Sequence, residues 1–234
     1  MNEIFKKQGM QIERVQTFNW ENSIFGMRLP LNSEAQSDSM VNNGKFILGD
    51  KDKDLLIRLC IGGSAHRKVL RMIGISFMCK MPMTWFKHFE THKIGVTAIS
   101  RSTMHKGIGS GILTREDDFY TSVWYPEHNQ MLDAINTTKV IMDKSEDKNL
   151  KKVLWRKIID LLPMCYCQQR MITINYEVAL AILQLRYQVE KLDDEWTFFC
   201  ETLLETCPHL NDIYLATKKN RQLTTDEFNA LAKK

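Results

Sequence analysis

One stretch, "LLPMCYCQQRMITINYEVALAILQLR" from Leu161 to Arg186, constrains the fold more than any other. Pro163 ends whatever helix precedes it. "RMITI" then reads as a short extended piece, and Asn175 offers a side-chain oxygen to cap a helix. The helix that follows, "YEVALAILQLRYQVEKL", is apolar nearly all round, so it predicts a buried element against which the rest must pack. Arg186 stands inside that apolar pattern. A buried guanidinium needs an anionic partner, because a lone buried charge is costly. The partner is either an acidic side chain of the core or a phosphate, whose shape suits the guanidinium fork.

Other segments agree with a mixed α/β (α+β) chain. "EDKNLKKVLWRKIIDLLP" (Glu146–Pro163) is an amphipathic helix with Leu150, Val153, Leu154, Ile158, Leu161 and Leu162 on one face. "GISFMCKM" (Gly74–Met81) reads as a strand, and Pro82 opens a short helix, "MTWFKHFET". "DKDKDLLIRLCIGG" reads as a helix capped by Asp50 or Asp52 and stopped by Gly62-Gly63. "DEWTFFCETLLETC" gives another helix, and "TTDEFNALAKK" closes the chain with a Thr224/Glu227 capping box. "NSEAQSDSMVNNG" (Asn32–Gly44) reads as a polar, mobile loop, and "GIGSG" (Gly107–Gly111) as a flexible hinge. No repeat or domain boundary is visible, so one domain over 1–234 is expected.

The 234 residues suffice for a sizeable core, with 44% hydrophobic and 26% charged residues. A net charge of +4 suits small anionic ligands better than duplex nucleic acid, which calls for a dense basic stripe. No apolar run reaches membrane-spanning length, and "MNEIFKKQGMQIERV" lacks the apolar segment of a secretory signal. Most of the six cysteines sit in apolar surroundings, and Cys165-Tyr-Cys167 has poor zinc-ligand spacing. The expectation is a reduced, cytoplasmic, metal-free protein.

No Ser or Cys occupies a nucleophile elbow, and the acidic residues cluster in exposed runs. What apolar context leaves unexplained is a set of polar residues: His66, His88, His92, Lys93, Asn175 and Arg186. Three of the six histidines fall in "HFETHKIGVTAISRSTMHKG" (His88–Gly107), which is either the wall of an anion site or an ordinary surface turn.

In order and spacing these residues resemble the flavin-dependent thymidylate synthases. That family carries R-H-R-x-x-S-x-N-E-x-S nine residues after a strand-ending proline. Here "THKIGVTAISRS" begins nine residues after Pro82, with His92 at the signature histidine and Lys93 at its second arginine. His66 falls on the family's upstream histidine, and His88 on a nucleotide-contacting glutamine. The Leu161–Arg186 block aligns without insertion. Asn175 matches a flavin-contacting asparagine, and Arg186 the arginine that binds the nucleotide. Glu177 stands where the family has an arginine, and Ala181 at a further polar flavin contact.

The resemblance spans about residues 50–205, leaving 1–50 and 206–234 as extensions. It implies a central sheet flanked by helices, a homotetramer, and FAD with methylene-tetrahydrofolate and NADPH as co-substrates. The implied reaction is one-carbon transfer to C5 of dUMP or a related pyrimidine nucleotide. Arg186 and His66 would be catalytic, His92, Lys93 and Asn175 would hold cofactor, and His88, Arg101, Ser102 and Arg186 would hold substrate. The alternative function on the same fold is a nucleotide-binding protein that sequesters or senses its ligand without catalysis.

Overall fold

The computed structural model describes residues 3–103, 108, 111–189 and 194–219. Its strands are β1 (Ile4–Lys7), β2 (Met10–Phe18), β3 (Met40–Asn42), β4 (Lys45–Ile47), β5 (Gly74–Pro82), β6 (Thr97–Ser100) and β7 (Cys167–Asn175). Its helices are α1 (Trp20–Arg28), α2 (Asp50–Ile61), α3 (Val69–Met72), α4 (Met83–Phe89), α5 (Arg115–Asp118), α6 (Pro126–Lys144), α7 (Lys148–Leu161), α8 (Tyr176–Arg186) and α9 (Asp194–Thr206). Residues 210–219 are helical as well.

Five strands form an antiparallel sheet in the order β1-β2-β5-β7-β6, with helices on its faces, as expected of the α+β class. β5 is central, and its alternate residues Ile75, Phe77, Cys79 and Met81 are each no more than 1% exposed. Across the β5–β7 pairing Ile75 faces Ile174 and Phe77 faces Ile172, so the two strands share one apolar face. At the end of this pairing Gly74 opposes Asn175, the last residue of β7. A Cβ on Gly74 would lie 2.1 Å from the tip of the Phe18 ring, so glycine leaves room for that ring to lie across β5.

α8 is buried along most of its length, through Tyr176, Val178, Ala179, Leu180, Ile182 and Leu183, as its all-round apolarity requires. It stops at Arg186 rather than continuing through the apolar pattern. Tyr187 is extended and Gln188 takes a left-handed φ of 56°, which turns the chain out of the helix.

The Ser/Asn-rich segment differs from the mobile loop expected. Asp38 accepts hydrogen bonds from the N–H groups of Lys51 and Asp52 at 3.0 and 3.1 Å, capping α2 from outside its own sequence. Asp52, one of the expected caps, is instead fully buried and ion-paired to Arg28. It also accepts the hydroxyls of Ser37 and Ser39, each at 2.6 Å. These bonds fasten the polar segment to α2. A second apolar cluster joins Ile135 of α6, Ile158 of α7, Phe119 and Tyr166. Gly107, Gly109 and the Thr224 capping box lie outside the described residues.

Candidate functional site

The stretch after α4 is half turn and half strand. Thr91 donates its hydroxyl to the carbonyl of His88 at 2.7 Å, and the His92 N–H reaches the carbonyl of Phe89 at 3.0 Å, closing the helix. Gly95, at φ 77°, brings the chain against Asn175. A Cβ there would lie 2.7 Å from Asn175 Nδ2. The chain then enters β6 at the sheet edge, paired with β7 from Thr173 to Arg170.

Asn175 caps α8 by accepting the Val178 N–H at 3.0 Å, the role its sequence position predicts. At the other end of α8, the Arg186 guanidinium lies over the indole of Trp196 in α9, with Cζ 5.3 Å from the ring centre. The His92 ring stands 6.4 Å from the same indole, edge to face. Arg186 and His92, 94 positions apart in sequence, thus share one aromatic platform. Trp196 in turn packs on Trp85 at 5.1 Å and Phe199 at 6.2 Å.

Four nitrogens in this cluster are buried without a hydrogen-bond partner among the described residues: Arg186 Nε, His92 Nε2, Trp196 Nε1 and Trp85 Nε1. Such groups are rare in folded proteins and costly to leave unmet, so a cluster of them is a candidate place for water or an external partner. Burial, reinforced by the positive Arg186 nearby, pushes the His92 pKa below its ordinary value. His92 is therefore neutral at physiological pH, able to donate one hydrogen bond while Arg186 supplies the charge.

Among the described residues the other expected site residues make no hydrogen bond, ion pair or ring contact with this cluster. His66 sits exposed in the turn between α2 and α3. The adjacent Arg67 is held to Glu177 at 3.0 Å through both Nε and a terminal nitrogen. Glu177 is in the first turn of α8 and Arg186 in its last, so the two ends are about 13 Å apart. Arg101 and Ser102 follow β6. The Arg101 backbone pairs with Gln169 at 2.9 Å, about 20 Å along β7 from Asn175. Arg101 there lines a polar cavity of about 240 Å³ with Lys80, Asp118 and Tyr166. His88 and Lys93 are exposed, on α4 and just after it.

Sequence reasoning passed over Trp196 and Trp85. Both lie in apolar helices, where an indole reads as core, and only their unmet N–H groups set them apart. All six cysteines are buried and unpaired, and burial pushes the Cys60 thiol up to about 12 and raises those of Cys165 and Cys167. Among the described residues no group of His, Cys, Asp and Glu has metal-binding geometry, and no helix is long and apolar enough to cross a membrane.

Comparison of the whole structure with solved structures finds thymidylate synthase X from Helicobacter pylori, crystallised with FAD and dUMP. The TM-score is 0.62 at 20% sequence identity, over 93% of this chain and 100% of the other. This is the fold of flavin-dependent thymidylate synthase. A further structure of the H. pylori enzyme with FAD and dUMP gives a TM-score of 0.61 at 18% identity, covering 88% of this chain and 98% of that one. No family model matches the sequence, and neither does any curated protein. β1 and β2, two of the five strands of the central sheet, lie before residue 50.

On this fold the residues answer unequally to the groups that the resemblance implies. Arg186 and His92 present unmet buried nitrogens, as a nucleotide with carbonyl and phosphate acceptors requires. Two of the implied flavin positions, Glu177 and Ala181, do not fit. Glu177 puts a carboxylate, already bound to Arg67, where a cation is implied, and Ala181 has no polar group. The Asn175 oxygen is spent on capping α8.

Proposed function

We propose that this protein binds a pyrimidine nucleotide of the dUMP type on a thymidylate synthase X-like fold, with Arg186 as its principal contact. The observation that carries the reading is the set of unmet buried nitrogens on Arg186, His92 and Trp196 around one indole platform. A guanidinium in that setting pairs with the pyrimidine carbonyl or the phosphate in a low-dielectric site, where a charge-assisted bond is strong. His92, neutral, adds a directional donor without adding charge. Among the described residues His66, His88, Arg101 and Ser102 make no hydrogen bond, ion pair or ring contact with Arg186. A homotetramer with sites between subunits would let a neighbour supply them, and we propose that assembly.

A second reading makes the protein an enzyme that transfers a one-carbon unit to C5 of the bound nucleotide. The match of Arg186 to the family's nucleotide-binding arginine favours it, since a cation beside the base would stabilise charge as C5 becomes nucleophilic. That chemistry draws on a reduced flavin, methylene-tetrahydrofolate and NADPH. The Glu177–Arg67 pair opposes the flavin, so ligand binding without redox turnover is the stronger reading.

Two measurements on the purified full chain test both. Calorimetric titration with dUMP gives saturable binding if the first reading holds, and no heat with any pyrimidine nucleotide ends it. The visible spectrum after adding FAD and removing the excess shows no retained flavin if the protein only binds nucleotide. Retained flavin with tritium release from C5-labelled dUMP would establish the enzyme.

A further inference from the structure

A cavity of about 340 Å³ lies where the β3–β4 hairpin meets the start of α1 and the turn before the last helical segment. Thr17, Trp20, Lys45, Phe46, Leu48 and His209 line it. All of these lie outside the block, about 50–205, that carries the family resemblance, so the resemblance gives none of them a role. The volume is at the small end of ligand sites and suits one ring or two fused rings.

Its walls are aromatic, one fixed and one adjustable. The Trp20 and Phe46 rings are within 18° of parallel, with centroids 6.4 Å apart, and the His209 ring meets the same indole edge to face at 5.7 Å. Trp20 is held from behind: its Nε1 donates to the Thr17 hydroxyl at 3.2 Å, and Tyr176 packs on it at 5.1 Å. Phe46 stands on the hairpin, whose strands pair with each other and not with the five-stranded sheet. A two-stranded hairpin has little stability of its own, so its seating depends on the packing of Phe46 and Leu48 against the core. A planar ring between the hairpin and the indole adds contact to both walls.

The charge in the cavity has one sign. Among the described residues Lys45 is the one charged side chain of the lining, and no carboxylate pairs with it. The neighbouring Lys53 is answered by Asp212 at 2.7 Å. His209 takes a left-handed φ of 59°, which glycine would adopt more easily, and so brings its ring against Trp20. Burial and Lys53 hold its pKa below the ordinary value, so that ring adds no charge at physiological pH. A nucleobase would ask for several hydrogen-bonding groups along its edge, whereas the Thr17 hydroxyl and the Pro208 carbonyl are already engaged by Trp20 and Tyr176.

We propose that this cavity binds a small planar aromatic carboxylate, its ring against Trp20 and Phe46 and its carboxylate at Lys45. The site is separate from the nucleotide site and stands whether or not dUMP binds at Arg186.

The test is a proton NMR titration of the full chain with 2-naphthoate, read at the histidine ring protons, with the His209 signal assigned by His209→Gln. The ring current of the bound naphthalene should shift the His209 signal saturably and leave His92 unmoved. Lys45→Glu, at an exposed residue, should raise the Kd about tenfold or more at low salt, with the difference shrinking as salt rises. Lys45→Arg should keep the affinity within about threefold, since it keeps the charge. The uncharged 2-naphthamide should bind the parent and Lys45→Glu alike. No saturable shift at His209, equal affinity of the acid for the parent and Lys45→Glu, or a shift at His92 in place of His209 overturns the proposal. So does displacement of 2-naphthoate from His209 by dUMP, which would make the cavity a second nucleotide site.

Discussion

Replacing Arg186 separates a binding arginine from a structural one. In the free protein its guanidinium rests on Trp196, and its Nε is buried with no acceptor among the described residues. Among the described residues Arg186→Ala therefore strands no carboxylate. The fold loses the cation–π contact, about 0.5–2 kcal/mol. It also loses a favourable cation in the last turn of α8, about 0.3–1 kcal/mol. Alanine is a good helix former, so nothing is lost to propensity. A cost of about 1–3 kcal/mol lowers the melting temperature of a chain this size by about 2–12 °C. The bound state loses more. A charge-assisted hydrogen bond contributes about 1.5–3 kcal/mol, and at about 1.4 kcal/mol per decade the upper value is on the order of 100-fold in Kd. Arg186→Lys keeps the charge but not the fork, and should lose about tenfold. Calorimetry with dUMP and thermal melts of the three proteins check this. A Kd within threefold of the parent's for Arg186→Ala, or a melting temperature lowered by more than about 12 °C, refutes the assignment. The second result would mean that the core, not a ligand, is what Arg186 serves.

Three further outcomes follow from the same geometry. The His92 pKa lies below its unfolded value of about 6.5 because burial and Arg186 both disfavour the cation. As pH falls below about 6.5, the unfolded chain takes up a proton there that the native one refuses, so this residue erodes stability with acidification. NMR titration should show a depressed His92 pKa that rises in Arg186→Ala; titration at or above 6.5 in the parent contradicts it. Asp52→Asn leaves the Arg28 guanidinium buried without its counter-charge and should cost about 3–5 kcal/mol in urea unfolding. A loss under about 1 kcal/mol would mean that water reaches the pair. Gly95→Ala forces a methyl group to within 2.7 Å of the Asn175 amide at a left-handed φ, and should cost about 1–3 kcal/mol in a thermal melt. An unchanged melting temperature would show that the loop yields.

The parts of the fold legible in the sequence are those where local pattern and burial coincide. The strand through Phe77 and Cys79, the helix through Leu180 and the Asn175 cap can be read because one periodicity or one side-chain oxygen determines each. β2 could not be read that way. Its half-exposed "ERVQTF" lies beside β5 and alternates weakly, with a register shift between Glu13 and Gln16. The Ser/Asn-rich loop misled for a different reason. Its order comes from Asp52, thirteen residues beyond Ser39, and composition says nothing about a partner so distant. α6 was invisible because its buried face holds Ile135, Thr138 and Lys139, a mixture no hydrophobic pattern reveals. Of the site, Arg186 was legible as a charge out of place. Trp196 was not, because a tryptophan in an apolar helix looks the same whether or not its N–H has a partner.

The separation along α8 explains how one half of a site can hold while the other changes. Glu177 and Arg186 are on the same rigid helix but about 13 Å apart, with separate neighbours: the α2–α3 turn at one end, and His92 with α9 at the other. An arginine-to-glutamate change at the first turn is stabilised locally. Its carboxylate meets Arg67 and lies at the positive end of the helix. None of that energy depends on Arg186, so the change demands nothing of the nucleotide end. Reversal is just as local: Glu177→Arg would set two guanidinium groups side by side unless an anion came between them. A variant that binds pyrophosphate or FAD where the parent does not would show that the Glu177–Arg67 pair alone keeps the flavin out. A variant that merely unfolds at lower temperature, with no gain in anion binding, would mean that the Glu177–Arg67 pair is not what decides anion binding at this end of α8.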